Sequence, residues 1–598
     1  MPLFSRYVNS RTASKTSVQI SGANLAGDSC SFRVWAPAAT SVTLRLNGEH
    51  GSADHAMAAA DDHYFTLELF ARAGDTYFYI VDQNKPVPDP VSRLLPQGVH
   101  GPTEIVDPDN FVWTDAGWSG LPLRDYVIYE LHIGTFTPEG TFDAAISRLP
   151  YLKKLGITVI EVMPVAAFPG QHNWGYDGVS LYAVQANYGG PEGLKRLVNA
   201  AHKLGLAVML DVVYNHLGNE GNYLRFFGPY FTGKHKTPWG EAINFDQPGC
   251  AGVRRYFVEN ALFWVREYHI DGLRLDAVQT IQDDSVPHIL AEIKQNVAAL
   301  ADELGRTVCV IAETDENDEK VVRPAAEGGF GLDGVWSDDF HHAIHAFFTG
   351  ERKGYYQDFG RPEQIVRALQ HGFVFQGEPF RFWAGRPRGT SSARMPAESH
   401  VICIQNHDQV GNRARGERLT ALIPCGARML AAALLLLAPQ TPLLFMGQEY
   451  DEPNPFLFFT DYNDPALQKA VTEGRRQEFK DFDFAHDSVP DPQDPETFSR
   501  SRLNWQRAQG ENSMLSWYAS LLCLRKKYVT GSERTCKAEF KDGIICMHVP
   551  AEEPTLKLFA RVQGSALLPS LGAGWQRALA EEEDGFAVSV WVEAPDVR

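Results

Sequence analysis

Between about residue 125 and residue 530, short apolar runs alternate with stretches of helical period. This alternation restricts the fold more than any other feature of the chain. Eight runs have strand length: 127–133, 158–163, 207–213, 272–275, 308–312, 334–337, 401–404 and 442–445. Amphipathic segments lie between them. In 193–204, residues Leu194, Leu197, Val198, Ala201 and Leu204 fall on one stripe, and Gly205 follows as a helix stop. The segment 142–155 repeats the pattern, with Pro150 inside it as a point of kinking or splitting and Gly156 as its cap. Both a doubly wound sheet and a closed barrel use this alternation; eight strand–helix units favour an α/β (β/α)8 TIM barrel.

The flanks read differently. Runs at 32–37, 42–46, 65–69 and 77–81 are short, rich in aromatic and β-branched residues, and separated by turn residues. They predict an N-terminal β-sandwich, immunoglobulin-like, over 1–112. The barrel is expected over 113–530, with long insertions near 217–250 and 350–400, and loops of that length usually carry function. A helix at 513–528 is expected to close it. Short strands return at 544–549, 556–562 and 587–592, so a C-terminal β domain is expected over 531–598. The acidic run 581–584 reads as a solvated loop.

The chain has 598 residues, 44% hydrophobic and 22% charged, and a formal net charge of −19. That balance argues against nucleic acid and anionic membrane surfaces as partners, since both require basic patches. The eight cysteines form no CxxC pair, and Cys309 and Cys403 sit inside apolar runs, which fits a reducing compartment. The first fifteen residues lack an apolar signal core, and the longest apolar run, 429–438, is too short for a bilayer. The expected location is cytoplasmic.

Polar residues crowd the C-terminal ends of the barrel strands, where barrels of this kind place their chemistry. Asp211, Asn215 and His216 follow the third strand (DVVYNH). Arg274 and Asp276 end the fourth, two residues apart in DGLRLDAV, so both leave one strand face. Glu313 ends the fifth. Asn406, His407 and Asp408 end the seventh, and Gln448 and Glu449 the eighth. A single acid after a strand is usually a turn residue or helix cap; several strands delivering acids to one rim is a different matter. Two chemistries use such a set. A metal hydrolase would activate water on Asp and His ligands, but no HxH or HExxH pair is present. Glycoside hydrolysis needs one carboxylate as nucleophile and one protonated carboxyl as acid. A cation beside the nucleophile keeps it ionised, which suits Arg274 beside Asp276.

A GxGxxG at Gly329, Gly331 and Gly334 is dismissed, because no strand precedes it and a strand follows.

DVVYNH, GLRLDAV, IAE and QNHD, in this order, resemble the four signature regions of the α-amylase superfamily. FRVWAP near the start resembles the sandwich of its branching-enzyme and isoamylase group. Four longer blocks, at 171–184, 230–246, 336–356 and 404–419, are similar to those of one family within it, the maltooligosyltrehalose trehalohydrolases. The run after Glu313, TDENDEK, departs from the pattern.

The resemblance implies a retaining hydrolase acting on maltooligosyltrehalose and related α-1,4-glucans, with no metal and no organic cofactor. Asp276 would be the nucleophile, Glu313 the general acid/base and Asp408 a third carboxylate gripping sugar hydroxyls. His216 and His407 would bond the sugar in the cleavage subsite, Arg274 would orient Asp276, and Tyr176 would stack on the ring with Asp177 supporting it. Asp339 and His341 would recognise the trehalose end. Trp239 is either a cleft wall or loop core. Asn215 sits where some members bind calcium. A branching enzyme, another α-1,4-glucan hydrolase, a metal hydrolase and a non-catalytic glucan-binding protein remain alternatives.

Overall fold

The computed structural model describes residues 21–479, 489–530, 535–550 and 555–594; the N-terminal stretch without an apolar signal core lies outside the described residues. Eight parallel strands close into a barrel: β1 (Ile128–Leu131), β2 (Val159–Val162), β3 (Ala207–Val212), β4 (Gly272–Leu275), β5 (Cys309–Ala312), β6 (Gly334–Trp336), β7 (His400–Cys403) and β8 (Thr441–Phe445). β8 returns to pair with β1. Each strand matches its sequence-predicted run to within two residues. Closure leaves no open sheet edge, so every strand can be buried on both sides.

Helices wrap the barrel. The 142–155 pattern is split into α1 (Phe142–Ile146) and α2 (Leu149–Leu155). Pro150 stands in the first turn of α2, where a missing N–H costs nothing. Gly156 ends it in the left-handed region at φ 111°. There follow α3 (Gly190–Lys203), α4 (Cys250–Glu267), α5 (Ile289–Leu304), α6 (Asp338–Thr349), α7 (Pro362–His371), α8 (Cys425–Leu437) and α9 (Ser513–Tyr528). Apolar α8 is almost wholly buried. The α9 indole of Trp517 donates to the Met429 carbonyl at 2.8 Å. Arg525 of α9 bonds the Leu436 and Ala438 carbonyls at the α8 C-terminus, where a cation is favoured.

One strand–helix unit departs from the pattern. Between β5 and β6 the described chain makes only two 3₁₀ turns, Glu319–Val321 and Ala325–Glu327. Pro324 and the glycines at 328, 329 and 331 break any longer helix.

Before the barrel, two four-stranded antiparallel sheets lie between Gly22 and Glu104. Phe32 of one and Tyr77 of the other meet edge to face at 5.0 Å. Trp35 leaves the sandwich to pack on the barrel. A Cβ at Gly252 of α4 would come within 2.1 Å of its ring, so glycine is needed there. After α9, five antiparallel strands form one sheet, with Trp575–Glu583 at its edge. The acidic run is therefore mostly the end of an edge strand and not a loop. Asp584, in the turn, accepts the Gly426 N–H at the start of α8.

Candidate active site

One guanidinium organises the acids. Register sets Asp211 of β3 beside Arg274 of β4. Nη1 of Arg274 donates to Asp211 Oδ2 and to Asp276 Oδ1, each at 2.8 Å, and Nη2 lies 3.5 Å from Glu313 Oε2. Arg274 is fully buried, so a single cation from β4 faces carboxyls from three consecutive strands. Its plane sits 4.3 Å from the Trp336 ring centroid at the end of β6, a cation–π contact in a desolvated place.

The backbone holds this geometry under strain. Ala277, directly after Asp276, is left-handed at φ 40°, ψ 51°, which costs a non-glycine residue roughly 1–2 kcal/mol. The bend aims the Ala277 N–H at Glu313 Oε2, 2.6 Å away. The Glu313 N–H in turn donates to the Leu275 carbonyl, and the Val278 N–H to the Glu313 carbonyl. Asp276 and Glu313 are thereby fixed to each other through backbone.

Their surroundings differ. Burial raises the Glu313 carboxyl well above the usual range, and Asp276, Asp408 and Asp338 push the same way against Arg274. A carboxyl raised in this way favours holding its proton, the property a general acid needs. Asp276 shares the arginine directly. Burial pushes Asp211 to about 6, with Arg274 opposing and Asp276 adding to the rise.

Around this core the sequence-predicted partners assemble. Tyr176 donates its hydroxyl to Asp211 Oδ2 at 2.6 Å, and its ring stacks on His407 at 5.2 Å. Asp177 accepts from Asn173 Nδ2 and the Tyr462 hydroxyl at 2.6 and 2.5 Å, pinning the loop that carries Tyr176. His216 bonds the Tyr176 carbonyl through Nε2 at 3.0 Å, and burial lowers its pKa. Asp408 stands in the first turn of the short helix His407–Gly411; it accepts from Asn412 Nδ2 at 3.0 Å and lies 3.6 Å from His407 Nε2. Trp239, at the tip of a hairpin (Phe231–Thr237 and Gly240–Ile243), stacks on His216 at 4.2 Å with one side exposed. It is a wall, not loop core. Glu449 does not join the rim: it is buried, accepting from the hydroxyls of Tyr129 and Tyr151.

Asp339 and His341 are elsewhere, and the expectation that they meet the trehalose end is corrected. Asp339 is fully buried, accepting from Arg388, Asn317 and the backbone of Val374 and Phe375. His341 spends its two nitrogens on the Ile404 carbonyl and the Tyr356 hydroxyl. Their neighbours Asp338 and His342 line a hollow of about 150 Å³ with Asp408, Tyr355, Phe382 and Arg388. DDFHH starts helix α6, and residues four apart share a helix face. The helical phase turns Asp338 and His342 toward that hollow and leaves Asp339 and His341 in the interior. Burial and the Asp408 charge push the Asp338 carboxyl up to about 7, with Arg388 opposing.

One triad of potential metal ligands lies among the described residues: His235, Asp246 and Asp284. The Lys234 ammonium already bonds both of its aspartates. Asn215 spends its Oδ1 on His216 Nδ1 at 3.2 Å.

A closed barrel with two unlike carboxyls on one guanidinium at its C-terminal rim defines a glycoside hydrolase of the α-amylase class. Residues 105–228 match the family described as alpha amylase, catalytic domain. The chain is 48% identical to a malto-oligosyltrehalose trehalohydrolase of Saccharolobus solfataricus, over 87% of this chain and 89% of that one. It is 47% identical to the enzyme of the same name from a Rhizobium species, over 83% and 84%. A solved structure titled as a putative alpha amylase from Salmonella typhimurium superposes with a TM-score of 0.87 at 42% identity, covering 96% of this chain and 99% of that one. The chain belongs to the malto-oligosyltrehalose trehalohydrolase family.

Proposed function

We propose that this hydrolase cuts the α-1,4 bond next to the trehalose end of maltooligosyltrehalose, releasing trehalose, with Asp276 as nucleophile and Glu313 as acid and then base. The shared guanidinium carries this reading: Arg274 bonds and aims Asp276, while burial and three neighbouring acids raise the Glu313 carboxyl. Asp276 attacks the anomeric carbon as Glu313 protonates the leaving oxygen, giving a glycosyl-enzyme. Glu313, now ionised, takes a proton from water, which releases the sugar with retained configuration. Asp408 and His407 grip hydroxyls of the same ring, and Tyr176 and His216 border it. The hollow beside Asp338 and His342 takes the leaving trehalose. Within the divisions 1–112, 113–530 and 531–598, the barrel carries the chemistry and the sandwich is a glucan-binding-module-like flank. No metal or cofactor enters.

The experiment compares products from maltooligosyltrehalose and from plain maltooligosaccharide of equal length, with the first-formed anomer read by proton NMR. Trehalose as the main product from the first, slow cleavage of the second, and a retained anomer are expected. Equal cleavage of both, or an inverted anomer, would refute the assignment.

A further inference from the structure

Glu130 stands in the middle of β1, fully buried, with no role in the reaction described so far. Its carboxylate reaches across to the end of β7. Oε2 accepts the backbone N–H of His407 at 2.9 Å, and Oε1 faces Nδ1 of the same residue in a very short contact. The other ring nitrogen, Nε2, is 2.8 Å from the Tyr176 hydroxyl.

Counting hydrogens along this chain settles the form of the ring. The Tyr176 hydroxyl owns one hydrogen. Asp211 Oδ2, 2.6 Å away, has none to give, so the phenol donates there. Arg274 Nη1, 3.5 Å from the same oxygen, has only hydrogens to offer. Nε2 of His407 must therefore supply the hydrogen of its bond to Tyr176. Nδ1, facing a carboxylate, needs a hydrogen as well. Both nitrogens are protonated, and the ring is an imidazolium.

We propose that Glu130 is a positioning residue for the glycosidic reaction, holding His407 doubly protonated and aimed at Tyr176 and Asp408 in the cleavage subsite. The inference rests on the reading that His407 and Asp408 border that subsite. Both hydrogens of this cation are spent, on Glu130 and on Tyr176, so it fixes the Tyr176 hydroxyl and brings positive charge to the rim. It also neutralises part of the charge of Asp211, Asp276 and Asp408, which Arg274 alone does not balance. A neutral ring protonated at Nδ1 could only accept from Tyr176, and the phenol would then give up its bond to Asp211.

The groups facing the ring from every side agree. Burial works against its charge, but Glu130 and Asp408 outweigh it, and the pKa is raised to about 9 with Arg274 opposing. Asp211 and His132 are further charged or titratable neighbours. Glu161 of β2, in register with Glu130, is the other nearby acid. Neither of its oxygens has a hydrogen-bond partner among the described residues, and burial followed by Glu130 and Asp211 raises its carboxyl well above the usual range. That direction favours the neutral carboxyl, so Glu130, which contacts the ring directly, is the acid expected to charge it.

The test is an NMR titration of the full chain labelled with ¹³C,¹⁵N-histidine, the His407 signal being identified by its loss in His407→Gln. In the unsubstituted protein the ring should stay doubly protonated through pH 8. Glu130→Gln should lower its pKa by about two units or more, because the main opposing charge to burial is gone. The alkaline limb of kcat/KM should move to lower pH with it, and Glu130→Asp should restore part of both. Glu161→Gln should leave the His407 titration within about half a unit. A ring that is neutral at pH 7 in the unsubstituted protein would overturn the proposal, even if Glu130→Gln fails to fold. An unchanged titration in Glu130→Gln, or an equal fall in Glu161→Gln, would overturn it too. The titration uses no substrate, so its failure would leave the roles of Asp276 and Glu313 standing.

Discussion

Two buried arginine–aspartate clusters lie at this end of the barrel, and they differ in one respect. Around Asp339, every hydrogen bond is made: Oδ1 accepts from Arg388, and Oδ2 from Asn317 and two backbone N–H groups. Around Arg274, Nε and Nη2 make no hydrogen bond, and neither does Asp211 Oδ1, among the described residues. Native interiors satisfy their polar groups, so a buried cluster left short marks a place shaped for something other than stability. The saturated cluster fastens the start of α6 to the excursion between β6 and β7. The unsaturated one holds the proposed nucleophile and lies against the proposed acid. Charge and burial alone do not tell them apart; the count of remaining donors and acceptors does.

A matched pair of substitutions breaks the comparison most sharply. Asp276→Asn should cut turnover by about 10⁴-fold or more, as loss of a nucleophile does. Its melting temperature should hold or rise, because one member of a crowded acid set is neutralised. Calorimetry and a trehalose-release assay read both effects, and near-normal turnover would remove Asp276 as nucleophile. Asp339→Asn should reverse the pattern. It leaves a buried arginine short of its partner, at a cost of about 3–5 kcal/mol in stability, while the folded fraction keeps turnover within about tenfold. An unaltered denaturant midpoint would contradict the structural role given to Asp339.

A smaller effect sharpens the boundary between the clusters. Asp338 is one of the acids that raise Glu313. Removing its charge with Asp338→Asn lowers the Glu313 pKa, so the acid loses its proton at lower pH. The alkaline limb of kcat/KM should shift toward acid by up to about one unit. A limb that stays put, or moves the other way, would exclude that coupling. The smallest effect is expected at Trp239→Ala, where a stacking wall is lost but no reacting group moves. KM should rise about three- to tenfold, with kcat nearly constant. A kcat defect larger than the KM defect would show that His216 depends on its stacking partner.

The barrel was legible because its strands are short apolar runs bounded by turn residues, and because the signature acids follow directly after them. Strand alternation also placed Arg274 and Asp276 on one side correctly. Legibility fell where the local period was unknown. DDFHH was read without its helical phase, so the expected pair, Asp339 and His341, is buried while Asp338 and His342 line the hollow. The link between β5 and β6 was counted as a helical unit although Pro324 and three glycines break it. Glu130 and Glu161 were overlooked, yet each is a lone acid inside an apolar strand, and that pattern is itself the sign of a charge turned into a barrel interior. Trp239 could not be decided from sequence, since its neighbour His216 is brought to it only by the hairpin.

The left-handed bend at Ala277 has an outcome for how this site can vary. A β-branched side chain there would collide with its own carbonyl and unseat the N–H that meets Glu313. Glycine would relax the bend and loosen the coupling between nucleophile and acid. Position 277 thus tolerates little besides a methyl group, and a sequence survey could use that narrow tolerance as a fingerprint for intact catalysts among otherwise similar barrels.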